Sequence, residues 1–189
     1  MKAYSNIIRE ALDILRNGGV ILYPTDTVWG LGCDATNTDA VRKIYRIKQR
    51  ADEKSMLILL DTESRLLYYV KQVPEIAYQL TEVSDRPITI IYPGARNISP
   101  ELTAADGSAG IRITDDEFCS DLIARLGKPL VSSSANISGE QPPGFFDEIS
   151  DIIKESVDYI VPLRQDEITR NKPSSIIKIE IDGQFKIIR

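Results

Sequence analysis

Apolar positions along the chain follow two rhythms, one helical and one extended. Ile7, Ile8, Ala11, Leu12 and Leu15 recur at helical spacing, with Ser5 placed as a cap and Gly18-Gly19 as a stop. The run VILYP then reads as a buried strand. TDAVRKIYRIKQR predicts a helix with Val41, Ile44 and Tyr45 inward and a cap near Thr38. MLILL predicts a second buried strand. TESRLLYYVKQV and PEIAYQLTEV predict helices, the latter with Pro74 in its first turn. PITIIY and AGIRIT read as strands, and DDEFCSDLIARLG as a helix that opens on acids and closes on Gly127. KPLVSSSAN predicts a strand entering a turn, FDEISDIIKESV a helix, and DYIVPL a further strand. The segment SSIIKIEIDGQFKIIR carries the clearest local signal, a hairpin turning at Asp182-Gly183. Strands interleaved with helices, with a C-terminal hairpin, predict an α/β fold with a mixed twisted sheet. No repeat or linker divides residues 1–189, so one domain is expected.

Composition narrows the chemistry. With 189 residues, 42% hydrophobic and 27% charged, the chain can bury an ordinary globular core. Cys33 and Cys119 lack paired spacing, which argues against a disulfide scaffold or a Cys-based zinc site. The first residues, MKAYSNIIREALDILRNGG, are charged and amphipathic, unlike a signal peptide, and no apolar run approaches the roughly 20 residues that cross a bilayer. A cytoplasmic protein with no membrane partner is expected. There is no histidine, which removes the commonest general base and metal ligand. Catalysis must then rest on carboxylates, Lys, Arg, hydroxyls, backbone amides or a metal carried by substrate. The net charge of -5 argues against coating nucleic acid non-specifically, although a local basic groove stays open.

Three constellations could carry chemistry. In LYPTDTVWGLGCDA, Thr25 and Thr27 share a face if the chain is extended, and Gly30 and Gly32 would admit close backbone approach to a ligand. A strand end followed by a glycine turn explains the same residues. In IKQRADEKSM, Lys48, Arg50 and Lys54 would form a phosphate clamp. Basic groups at a helix C-terminus are also favoured by the helix dipole alone. The segment lacks P-loop glycines. In PLVSSSANISGEQPPG, three serines, Asn136, Ser138 and Gly139 follow a buried strand, at the strand end where α/β sheets bind ligands. A turn also favours Ser, Asn and Gly, but three consecutive serines exceed its needs.

YPTDTVWGLGCDA, IKQRADEKSMLILL, GIRIT and PLVSSSANISGEQPP resemble, in order and spacing, the YrdC-like threonylcarbamoyl-AMP synthases. The most specific parts are the K-x-R pattern at Lys48 and Arg50 and the S-x-N pattern at Ser134 and Asn136. The resemblance spans nearly the whole chain and implies the single-domain form, an open twisted sheet with a large concave cavity. It further implies an enzyme that condenses L-threonine, bicarbonate and ATP to threonylcarbamoyl-AMP and pyrophosphate. A tRNA-modifying transferase complex would then carry the group to the adenosine next to the anticodon. Carried over by position, Lys48 and Arg50 are the catalytic pair, with Lys48 near the carboxylated amine. Thr27, Ser134 and Arg112 would hold threonine, and Arg50, Lys54, Asn136, Ser108 and Ser174 would bind ATP. Mg2+ would arrive with the triphosphate, with no organic cofactor and no protein cage.

The chain departs from the family pattern in places. A Pro-Gly turn before Thr89 is replaced by Asp85-Arg86-Pro87, Ala51 replaces a proline, KSM replaces KPL at Lys54–Met56, and Leu59 stands where some members have histidine. The alternative is a non-catalytic module of the same fold that binds double-stranded RNA or tRNA. Such a module needs a basic face but not the hydroxyls of Thr25, Thr27 and Ser134. A carbamoyl-transfer enzyme of hydrogenase maturation would need zinc-finger cysteines and length that this chain lacks.

Overall fold

In the computed structural model, residues 4–49 and 56–189 are described. Their strands β1 (Ile21–Tyr23), β2 (Gly30–Gly32), β3 (Leu57–Leu60), β4 (Ile88–Tyr92), β5 (Ala109–Ile113), β6 (Leu130–Ser134), β7 (Tyr159–Ile160), β8 (Ser175–Ile179) and β9 (Phe185–Ile187) form one mixed sheet. The order is β7-β1-β2-β6-β3-β5-β4-β8-β9. The pairs β1–β7, β3–β5 and β4–β8 are parallel and the others antiparallel.

Apolar runs become two-sided strands because successive side chains point to opposite faces. Leu22, Ile58, Leu60 and Val131 enter one core with Val41, Ile44 and Tyr45 of helix α2 (Thr38–Ile47). Ile21, Tyr23, Leu59 and Leu130 enter the other, under α1 (Ser5–Arg16) and α5 (Glu117–Leu126). Short helices α3 (Leu66–Tyr69) and α4 (Glu75–Glu82) add Leu66, Tyr69 and Ala77 to the α2 side, and α6 (Asp151–Ser156) adds Ile153. No helix among the described residues is long and apolar enough to cross a membrane.

Several predicted elements shift. Ser5 is the first residue of α1 and Tyr4 its cap, while α2 is capped by Asn37, whose Oδ1 accepts from Ala40 N at 3.2 Å. Pro74 is the cap of α4 rather than part of its first turn. TESRLLYYVKQV stops as a helix at Tyr69, because Val70 leaves to pair with Ala95. FDEISDIIKESV divides into a 3-10 turn, Phe146–Glu148, and α6, because Ile149 extends and buries itself between them.

The largest local difference is β2. Gly30 and Gly32 do not make a turn; they form a strand between β1 and β6. A methyl on Gly32 would lie 2.6 Å from Cε1 of Tyr23, and one on Gly30 would lie 3.4 Å from the same atom. The missing side chains therefore admit the buried Tyr23 ring, whose hydroxyl donates to Val131 O at 3.2 Å.

Candidate active site

The sheet face covered by α1 and α5 is open over its other half. On β4, β5 and β8, Ile90, Ile111 and Ile177 turn into the α2 core. Their neighbours Thr89 and Ile91, Gly110 and Arg112, and Ile176 turn the other way, as strand alternation requires. These residues floor a cavity of about 370 Å³, within the roughly 300–1,000 Å³ of small-molecule sites. Thr27, Ser132, Ser133 and Ser134 form one wall, and Ser108, Ser174 and Arg189 another. The site thus lies on the sheet face rather than beyond the strand ends.

Arg112 organises the first wall. Although a cation, it is only 2% exposed. Its Nη1 donates to Thr27 Oγ1 at 2.9 Å, and its Nη2 forms an ion pair with Asp26 Oδ1 at 3.1 Å that lacks hydrogen-bond alignment. Its Nε–H is buried without an acceptor, so the guanidinium keeps unused donor capacity. Burial raises the pKa of Asp26, and the Arg112 charge partly offsets the rise. Thr25 Oγ1 donates to Val28 O at 2.8 Å and accepts from Thr27 N at 3.0 Å. Its single proton is therefore committed, and Thr27 Oγ1, 3.0 Å away, must be the donor between the two hydroxyls. Thr27 can then offer a ligand only an acceptor lone pair.

The opposite wall is ordered by short polar bonds. Ser108 Oγ donates to Asp106 Oδ1 at 2.6 Å, while Lys178 holds Asp106 Oδ2 at 2.7 Å. These bonds, led by that from Lys178, hold the Asp106 pKa down at about 2. Ser174 Oγ lies 2.8 Å from Thr89 Oγ1, and its carbonyl accepts from Arg189 Nε and Nη2 at 3.2 and 3.1 Å. Burial draws the Arg189 pKa below the ordinary arginine value.

The family model Sua5/YciO/YrdC, described as telomere recombination, matches residues 13–189. This chain belongs to the Sua5/YciO/YrdC family. A curated relative named threonylcarbamoyl-AMP synthase, from Pseudoalteromonas translucida, is 34% identical over 180 residues, 94% of this chain and 95% of that protein. The crystal structure of E. coli YciO superposes with a TM-score of 0.84 at 27% identity, covering 97% of this chain and 88% of that one. P. abyssi Sua5 complexed with L-threonine shares the fold, with a TM-score of 0.83 at 24% identity over 96% of this chain. This chain spans 53% of that Sua5, about half its length.

Within this Sua5/YciO/YrdC domain the residues expected from sequence divide into three groups. Thr27, Arg112, Ser134, Ser108 and Ser174 all line the one cavity, although Thr27 and Arg112 are 85 positions apart. Lys48 and Asn136 are not among its lining residues. The Lys48 ammonium donates to the carbonyls of Ser134 and Asn136, and the Asn136 amide donates to Ile137 O at 2.8 Å and Glu140 O at 3.0 Å. Arg50 and Lys54 lie outside the described residues.

Two participants were not assigned from sequence. Asp26 lies between Thr25 and Thr27, and only its proximity to Arg112 gives it a role. Arg189 closes the hairpin segment, and nothing in its spacing marks it as a cavity residue.

Proposed function

We propose that this chain is a threonylcarbamoyl-AMP synthase, which joins L-threonine and bicarbonate and transfers the product to the AMP portion of ATP. The observation that carries this reading is the corner where Arg112 of the cavity floor meets Thr27 of the first wall. It offers a buried guanidinium with spare donor capacity beside a threonine hydroxyl that can only accept. A substrate with adjacent carboxylate and amine groups complements that pair. Arg112 would receive the carboxylate, and Thr27, with Ser134, would orient the amine and side-chain hydroxyl.

The chemistry needs no enzyme nucleophile. Threonine amine, once deprotonated, attacks the carbon of a bicarbonate-derived carboxyl group, releasing water and leaving a carbamate. A carbamate oxygen then attacks the α-phosphorus of ATP, and pyrophosphate leaves with the electron pair of the broken P–O bond. Alignment and neutralisation of charge supply the catalysis, so a chain without histidine can perform it. Arg50 and Lys54 would meet the triphosphate, while Ser108, Ser174 and the S-x-N turn with Asn136 would hold the nucleotide. Among the described residues no three His, Cys, Asp or Glu gather into a metal cage. Magnesium enters as part of the nucleotide substrate, held by phosphate oxygens and water. The product would pass to a transferase complex that modifies tRNA.

The test is incubation with ATP, bicarbonate and L-threonine, with pyrophosphate and threonylcarbamoyl-AMP measured together. Pyrophosphate release should require both threonine and bicarbonate. Release indifferent to threonine, or none at all, would overturn the assignment.

A further inference from the structure

We infer that Lys48 is a positioning residue, whose buried ammonium fixes the Ser134–Asn136 turn instead of touching substrate; its role in catalysis rests on the synthase reading above. Lys48 follows the last residue of α2 and is only 2% exposed. Its Nζ donates to Ser134 O and, at 2.7 Å, to Asn136 O. Its own carbonyl accepts from Ser138 N at 2.8 Å. One residue therefore ties the end of α2 to the turn at three points, across 86 and 88 positions for the two ammonium bonds.

Carbonyl oxygens are what an ammonium satisfies best when no water reaches it, and leaving either partner alone in the interior is costly. Lys48 has three N–H donors, and two point at these backbone acceptors. The turn is otherwise closed by bonds of its own, with Asn136 N donating to Ser134 O at 2.9 Å and Ala135 N to Trp29 O at 2.9 Å. The side chain that this turn delivers to the cavity wall is Ser134, not Lys48. Gln49 has a φ of 50°, a left-handed conformation uncommon for a non-glycine residue. The backbone thus leaves the helical conformation at the residue that follows its anchor. The lysine of the K-x-R motif and the serine of the S-x-N motif belong to one mechanical unit.

Substrate contact and positioning give different signals. In wild-type protein labelled with 15N at lysine Nζ, the Lys48 ammonium resonance should exchange slowly with water. It should also stay in place when a nonhydrolysable ATP analogue and threonine are added to saturation. A Lys48 resonance that moves with either ligand as a directly bound lysine would overturn the inference. Lys48→Met should speed amide exchange across residues 134–140 by about tenfold or more, as local opening becomes easier. It should also raise the threonine KM by about tenfold, with kcat changed by less than about threefold. Unchanged loop exchange combined with a collapsed kcat would place Lys48 on the substrate instead. If Lys48→Met does not fold, the wild-type resonance decides alone. Loss of threonine-dependent pyrophosphate release in the wild type would sink the synthase reading while leaving the placement of the ammonium testable by the same spectrum.

Discussion

Replacing Arg112 with methionine should damage the fold and the site by separable amounts. The substitution deletes the donor to Thr27 Oγ1 and leaves Asp26 without its cation. Removing one partner of a buried pair costs about 3–5 kcal/mol. The Asp26 side chain keeps 18% of its exposure, so the lower end applies, about 3 kcal/mol. At about 2–4 °C per kcal/mol for a chain of this size, Tm should fall by about 6–12 °C at pH 7. The pH dependence has a definite sign. Burial already raises the Asp26 pKa against the pull of Arg112. Without Arg112 it climbs further, so the folded variant takes up a proton while the unfolded chain is still ionised. Stability then increases as pH falls through that raised value, and the deficit against wild type narrows on the acid side. Arg112→Met with Asp26→Asn should recover most of the loss, because no charge is left unpaired. Threonine binding should not recover, since a charge-assisted contact of about 1.5–3 kcal/mol is gone, about 10- to 150-fold in the threonine KM. Thermal melts at several pH values and steady-state kinetics measure both effects. The ion-pair reasoning fails if the single variant melts with wild type at pH 7, or if the double variant is no more stable than the single.

Serine should be a poorer substrate than threonine by about 1–3 kcal/mol, since only a methyl contact is lost; equal kcat/KM values for the two would count against a pocket shaped to the methyl. Magnesium should bind appreciably only with ATP present, and calorimetry that finds tight binding without nucleotide would contradict a cation carried on phosphate. Asp106 contributes stability that is present above its unfolded value of 3.8 and is lost as pH falls toward about 2, chiefly through its bond from Lys178. Lys178→Met should flatten urea midpoints across that window, and an unchanged slope would show that the pair contributes nothing.

What could be read from sequence was local. The closing Gly127 of α5 has a φ of 73° and the hairpin Gly183 a φ of 85°, and both follow from short-range turn chemistry. The alternation in PITIIY and AGIRIT already contained the two faces, one apolar and one that became the cavity floor. β2 was hidden because glycine has no strand preference of its own; the need for it comes from the Tyr23 ring on the adjacent strand. The bonds from the Lys48 ammonium to backbone carbonyls more than eighty positions away are not announced by side-chain identity. The family resemblance names Thr27, Arg112, Ser134, Ser108 and Ser174, and all five line one cavity. Which of their atoms remain available to a ligand depends on hydrogen bonds that appear only in three dimensions.

The notch that β2 opens for Tyr23 makes the order of mutations matter. Gly32→Ala alone drives a methyl to 2.6 Å from the ring, an overpacking that typically costs about 1–3 kcal/mol. Tyr23→Leu alone empties the notch and removes the hydroxyl that donates to the Val131 carbonyl. Made together, each change relieves part of the damage of the other, so their effects should not add. A lineage could leave this arrangement only by crossing a less stable intermediate, and stabilising changes elsewhere would have to come first. The glycines of the threonine-rich stretch can thus persist through a history of blocked single steps, without any ligand to protect them.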